Sequence, residues 1–202
     1  MPENEAEEQG KLVVLSGPSG VGKSTVVREL LARFEGRLRL SISATTRPPR
    51  PQEQDGVHYH FLTDQQFRQR REQDQFLESI EVFGRGHWYG TLWSEVRPFL
   101  QEGIWVLLEI DVLGAENVLR QPIWEESGDP ISIFIRPASF EELERRLRSR
   151  GTEDEASIQR RLTVARREVE QAGQYQHQIE NETVPQTVEA ICKLIQDRGL
   201  SA

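Results

Sequence analysis

Along this chain, short apolar runs alternate with stretches whose apolar residues recur every three or four positions. That alternation predicts an α/β fold, a largely parallel sheet with helices on both faces. Residues 11–16 (KLVVLS) form an apolar run that stops at Gly17-Pro18, which predicts a buried strand ending in a turn. Beyond it, Val26, Val27, Leu30, Leu31 and Phe34 share one face of a helix. Residues 104–111 and 131–136 read as two more buried strands. Residues 186–198 read as a closing helix with Val188, Ile191, Leu194 and Ile195 turned inward.

Two stretches break this rhythm. Residues 41–98 are rich in Arg, Pro, Gly and aromatics, with alternating pieces such as His58-Tyr59-His60-Phe61. They predict a small α+β insertion with mixed strands and a short helix near 64–71, and the polar surroundings of Glu78 read as helical. Residues 139–171 predict two polar helices, each opened by a capping box, at Ser139 to Glu142 and at Thr152 to Glu155. Arg150-Gly151 closes the first. The expected layout is an acidic, disordered tail over 1–10 and one domain over 11–198. Its core takes about 11–40, 99–137 and 173–198, the insertion about 41–98, and a helical lid about 138–172. There is no internal repeat or long linker.

With 202 residues, 36% hydrophobic and 29% charged, the chain suits one globular domain. No apolar run nears the roughly 20 residues of a membrane span, so no membrane partner is expected. The first ten residues hold four acids and no base, unlike a secretory or organellar leader. A single cysteine, Cys192, excludes an internal disulfide. Both features predict a cytoplasmic protein.

The net charge of −8 argues against a nucleic-acid partner. Yet from Arg136 to Arg167 nine arginines face six acids, an excess of three in a chain otherwise carrying −11. A small polyanion explains that asymmetry. Solvated helices laced with salt bridges remain the alternative on charge alone.

Gly17-Pro18-Ser19-Gly20-Val21-Gly22-Lys23-Ser24 fits G-x-x-x-x-G-K-[ST], between a predicted strand and a predicted helix. Such a loop gathers backbone N–H groups and a helix N-terminus into an anion cradle, with Thr25 next in the helix. Lys23 supplies charge to the β- and γ-phosphates, and Ser24 an oxygen for Mg²⁺. ATP is the expected ligand.

The chain also resembles the guanylate kinase family. The motifs carrying the likeness are the loop at 16–24, Ser43-Ala-Thr-Thr-Arg47-Pro-Pro-Arg50, Asp55-Gly-Val-His-Tyr59-His-Phe61, Phe76-Leu-Glu78, Tyr89-Gly-Thr91, Leu108-Glu-Ile-Asp111 and Arg150-Gly-Thr-Glu153. The resemblance implies that Arg47, Arg50 and Tyr59 hold the GMP phosphate with help from Tyr89. Ser43, Glu78, Thr91 and Asp111 would surround the guanine. It also implies transfer of the ATP γ-phosphoryl group to GMP, with dGMP a second acceptor, for guanine nucleotide recycling and GTP supply.

Chemistry agrees with those roles. A guanidinium forks onto phosphate. A carboxylate accepts the N1 and N2 donors of guanine and would repel adenine N1. On residues alone, Arg47 and Arg50 also read as loop decoration, and Tyr59 and Tyr89 as core aromatics. Glu78 also reads as a solvated acid. His58 and His60 read as bystanders.

A phosphate monoester has its second pKa near 6, so the acceptor is already an anionic nucleophile. Holding two polyanions in line and offsetting their charge is then the task. Arg146 and Arg150 lie four apart on one helix face, and the resemblance implies that they and Arg161 reach the transferring phosphates as catalytic residues. Arg145, Arg148 and Arg160 read as surface charges. Glu109, ending the second buried strand, would hold Mg²⁺ through water; the alternative is an unbound acid.

Two places depart from the family pattern. The loop at 84–88 is longer and carries Trp88 where tyrosine is common, just before Tyr89 and Thr91. Ile179-Glu180-Asn181-Glu182 replaces Val-Asn-Asp, leaving Asn181 as the adenine contact. Rival readings are a kinase for another base and a phosphopeptide-binding module of related fold. The intact ATP loop and the lack of an appended domain argue against the second.

Overall fold

The computed structural model describes residues 9–82, 86–149 and 154–201. The chain begins with β1 (Leu12–Ser16), α1 (Lys23–Arg33) and β2 (Leu38–Leu40). It then leaves the main sheet through β3 (Ala44–Thr45), β4 (His60–Phe61), α2 (Asp64–Glu72), β5 (Phe76–Val82) and β6 (His87–Leu92). It returns through α3 (Arg97–Gln101), β7 (Trp105–Glu109), α4 (Val112–Leu119), the short α5 (Trp124–Ser127) and β8 (Ile131–Pro137). Two long polar helices follow, α6 (Phe140–Ser149) and α7 (Glu155–Glu170), then β9 (His177–Asn181) and α8 (Val184–Gln196).

The main sheet has the order β2-β7-β1-β8-β9, and each of its pairings is parallel. Alternation along β1 explains its central place: Val13 and Leu15 enter one apolar cluster, and Leu12 and Val14 the other. The first cluster takes Val26, Val27 and Leu30 from α1 with Val188, Ile191 and Ile195 from α8. The second takes Val112, Ala115 and Val118 from α4. A strand buried on both faces must be apolar throughout, which is why the three core runs were legible as strands.

A second sheet, β4-β3-β6-β5, is mixed, with β3 parallel to β4 and antiparallel to β6. Its own apolar cluster joins Ala44, Phe67 and Leu92 with Phe76 and Trp88, the Phe67 and Phe76 rings stacking at 4.4 Å. The helical pair α6–α7 likewise encloses Leu143, Leu147, Ile158, Leu162 and Ala165. Fully burying one such side chain stabilises by roughly 1.5–3 kcal/mol, so each appendage carries its own source of order.

Several local expectations need correction. Glu78 lies on β5, because Asp74 takes φ 52° and ends the preceding helix. A left-handed residue cannot continue a right-handed helix. The lid's second helix is capped by Asp154, whose Oδ1 accepts from Ser157 N at 2.7 Å. Thr152 lies outside the described residues. The closing helix starts at Val184, with Thr183 as its cap. Gly10, expected in the disordered tail, donates its N–H to Leu100 O at 2.8 Å. The rest of that tail, through residue 8, lies outside the described residues. Among the described residues no helix is long and apolar enough to cross a membrane.

Candidate active site

The glycine loop leaves β1 at the C-terminal edge of the sheet, where open α/β sheets bind their ligands. Gly22 caps α1 with φ 106° and ψ 14°. A Cβ there would meet Asn181 Nδ2 at 2.8 Å, so both backbone shape and space require glycine. Lys23 Nζ folds over the loop and donates to Gly17 O at 2.6 Å and Pro18 O at 3.3 Å.

Two outside side chains grip the same loop carbonyl. Arg146 Nη1 donates to Val21 O at 3.1 Å, while Glu142 Oε1 accepts from its Nε at 2.8 Å. Asn181 Nδ2 donates to Val21 O at 2.6 Å, and Asn181 Oδ1 accepts from Thr187 Oγ1 at 2.9 Å. Asn181 is wholly buried. Its amide bonds the loop and Thr187, and so braces the cradle from behind.

Arg161 Nη1 donates to Ser19 Oγ at 3.5 Å. Arg146 and Arg161 therefore both reach the loop from α6 and α7, whereas Arg150 lies outside the described residues. Arg145 and Arg148 pair with acids of their own surface, Glu142 for the first and Glu144 and Glu155 for the second. Arg160 donates to Ser157 Oγ at 2.8 Å. Within the arginine-rich segment, two side chains thus reach the glycine loop and three are engaged on the surface of the helices.

Glu168, which the sequence reading missed, also turns toward the loop. Burial pushes its carboxyl up to about 7, against the pull of Lys23 and the Ser19 amide. Its Oε2 is buried without a hydrogen-bond partner. On a polar helix nothing in the sequence separates this acid from its neighbours.

Ser24 Oγ donates to Glu109 Oε1 at 2.9 Å, so a hydroxyl and a carboxylate sit together where the loop meets the end of β7. Hard oxygen donors of this kind fit a small divalent cation that also binds phosphate. Among the described residues no group of three or more His, Cys, Asp and Glu side chains forms a metal cage.

Glu109 also lines a second cavity of about 220 Å³ with Ser43, Tyr59, Glu78, Tyr89 and Asp111. Thr91 Oγ1 donates to Glu78 Oε1 at 2.9 Å, while Oε2 is buried without a partner. Burial pushes Glu78 up to about 7, with the Asp111 charge adding to the shift. Asp111 is raised too, again by burial, although Gly114 N donates to its Oδ1 at 2.8 Å. Gly114 makes room for both acids: a Cβ there would stand 3.3 Å from Glu78 Oε2 and 3.4 Å from Asp111 Oδ1. Thr91 is itself fully buried, so its hydroxyl orients Glu78 from behind.

At the mouth of this cavity, Arg47 Nε donates to the Tyr89 hydroxyl at 3.2 Å, and its guanidinium lies 5.4 Å from the Tyr59 ring centre. Arg50 is exposed. Register fixes Tyr89 and Thr91: they pair with Ile80 and Glu78 across the β5–β6 ladder. Trp88, on the other face, packs at 5.8 Å from Phe67 with Arg71 over its ring at 4.4 Å. Of the lengthened loop, residues 84 and 85 lie outside the described residues. His60 Nε2 lies 2.9 Å from Glu95 Oε1.

A parallel sheet, a glycine loop with its lysine, and an acid-lined cavity sharing Glu109 with that loop define a class, the P-loop nucleoside monophosphate kinases. Within that class the chain belongs to the guanylate kinase family. The family model described as "Guanylate kinase" matches residues 9–198. A guanylate kinase of Rhodopirellula baltica is 48% identical over 96% of this chain and 91% of its own length. One of Prochlorococcus marinus is 43% identical over 94% and 99%. The crystal structure of guanylate kinase from Anaplasma phagocytophilum is similar at a TM-score of 0.74 and 28% identity, covering 96% of this chain and 89% of that one.

Proposed function

We propose that the protein transfers the γ-phosphoryl group of ATP to GMP, and to dGMP as a second acceptor, giving ADP and the nucleoside diphosphate. The supporting observation is the buried Glu78 carboxylate, whose unpartnered Oε2 shares a cavity with Asp111 and Glu109. Guanine offers N–H donors at N1 and N2 to such acids, and adenine would leave them unmatched. Sites built on buried hydrogen bonds discriminate by about 10⁴-fold. Ser43 completes the base pocket, with Thr91 holding Glu78 in place.

Arg47, Arg50, Tyr59 and Tyr89 bind the GMP phosphate. The residues from Gly17 to Thr25 bind the ATP phosphates, with Lys23 at the β- and γ-positions. No side chain needs to take a proton from the acceptor, because its phosphate already ionises near pH 6. Arg146, Arg161 and Arg150 offset the charge on the transferring group and exclude water as the lid closes over it. The family works with a divalent metal, and Mg²⁺ is the ion proposed here, held by Ser24 Oγ and through water by Glu109. When bound it would neutralise phosphate charge. The physiological role that follows is guanine nucleotide recycling and GTP supply in the cytoplasm.

Purified protein given ATP, MgCl₂ and GMP, AMP, CMP or UMP in turn tests this in a coupled ADP assay. ADP formation with GMP, and little with the other three, is the expected result. No ADP with GMP would reject the reading, and equal rates with another base would rename the acceptor.

A further inference from the structure

Glu53 sits six residues beyond Arg47 in a proline-bordered loop, and neither the motif reading nor the proposed mechanism gives it a task. Its carboxylate takes both terminal nitrogens of Arg47, with Nη2 donating to Oε1 at 2.9 Å and Nη1 lying 2.9 Å from Oε2. The side chains are 12% and 15% exposed. Arg50 N donates to Glu53 Oε2 at 2.8 Å, and Glu53 N donates back to Arg50 O at 2.9 Å, closing a turn that fixes the acid. The bond to Arg47, then that from the Arg50 amide, hold Glu53 below the usual carboxylate range.

Arg47 is constrained at every other corner as well. Its Nε donates to the Tyr89 hydroxyl, its Nη1 to Pro48 O at 2.7 Å, and its backbone N to Thr45 Oγ1 at 3.1 Å. A guanidinium has five N–H groups. These contacts direct four of them, leaving one on Nη2. The fork expected to close on a phosphate is therefore already closed on a carboxylate.

Resting on the proposed acceptor chemistry, we infer that Glu53 is a positioning residue. It locks the Arg47 guanidinium so that its remaining Nη2 hydrogen and the Tyr89 hydroxyl face the acceptor's phosphate. Two effects oppose each other here. Glu53 removes positive charge from an anion site, which weakens phosphate binding, and it fixes the donor's direction, which strengthens binding. The geometry favours the second, because a carboxylate held by a backbone amide within its own turn is built to stay.

The test uses Glu53→Gln, Glu53→Asp and Arg47→Ala in the full chain, with GMP and guanosine as probes and calorimetry and kinetics as readouts. Wild-type protein must first bind GMP more tightly than guanosine; if it does not, the acceptor assignment fails and Glu53 is not at issue. Given that, Glu53→Gln raises the Kd and KM for GMP about tenfold to a hundredfold, the scale of one charge-assisted hydrogen bond. Guanosine binding, the KM for ATP and the melting temperature stay unchanged, and Glu53→Asp recovers part of the loss. In an Arg47→Ala background Glu53→Gln adds nothing. Tighter GMP binding in Glu53→Gln would overturn the inference and make the acid a placeholder that phosphate displaces. An equal loss for guanosine would reduce it to a support of the loop.

Discussion

Thr91 and Glu78 share a hydrogen bond of 2.9 Å that satisfies one carboxylate oxygen and leaves the other buried and bare. Burial, against the pull of that hydrogen bond, raises the acid to a pKa of about 7 from its ordinary 4.5. A guanine that donates to Oε2 favours the ionised form, so binding lowers this pKa. GMP affinity should rise with pH through about 7, with a proton released on binding below that point. Calorimetry in buffers of differing ionisation enthalpy measures the release. Glu78→Gln should abolish it apart from the phosphate's own titration near pH 6, and should erase the preference for GMP over AMP.

The ATP side should show the opposite sign. Glu168 is also pushed to about 7 by burial and is held down by Lys23 and the Ser19 amide. A triphosphate drawn to Lys23 adds negative charge beside the acid and favours its protonated form. ATP binding near pH 7 should take up a proton, and Glu168→Gln should remove that uptake while tightening ATP. Proton uptake that survives in the variant would place its source elsewhere.

Both carboxyls have folded pKa values raised above the unfolded one, so folding takes up protons between about 4.5 and 7. Their contribution to stability is fully present below 4.5 and is lost as pH rises through about 7. The stability gained by Glu78→Gln over wild type should therefore grow with pH across that window in urea unfolding experiments. A gain independent of pH would contradict a raised Glu78.

Lys23 and Arg146 both meet the loop, and the proposed chemistry makes each a donor to transferring phosphate. Lys23→Ala and Arg146→Ala should each lower kcat about a hundredfold to a thousandfold, as loss of a single oriented donor does. Steady-state assays at saturating ATP and GMP read this directly. Near-normal turnover in either variant would remove its assigned role.

Asn181→Ala separates support from contact. It strips Val21 O and Thr187 Oγ1 of a buried partner, which costs about 1–3 kcal/mol. A lowered melting temperature with weaker ATP binding is expected. Replacing ATP by GTP should leave the ratio of mutant to wild-type affinity unchanged, because the amide acts through Val21 O and Thr187. A loss confined to adenine nucleotides would restore the base contact.

Local chemistry made much of this legible. The cradle is contiguous, and β1 is apolar on both faces, so the loop and the strand before it could be read from residues 11–24 alone. Arg47, Tyr59, Tyr89 and Asp111 were found through short motifs, and they do converge at one cavity and its mouth. What escaped depends on long-range placement. Glu78 looked helical because the break at Asp74 is a non-glycine residue with positive φ, which no turn pattern announces. Asp154 won over Thr152 as a cap although both begin an acceptable pattern. Asn181, Glu168 and Glu53 are ordinary polar residues by type. Only the elements packed against them decide that one is sealed, one faces the loop and one is locked to arginine.

Ser24 and Glu109 hold each other across the place where the two halves of the site meet. An ion taking the hydroxyl oxygen must loosen that carboxylate, which also forms part of the acceptor's wall. In the proposed reaction, an ion on one side would then alter acceptor binding on the other, and thermodynamic reciprocity would make the effect equal in both directions.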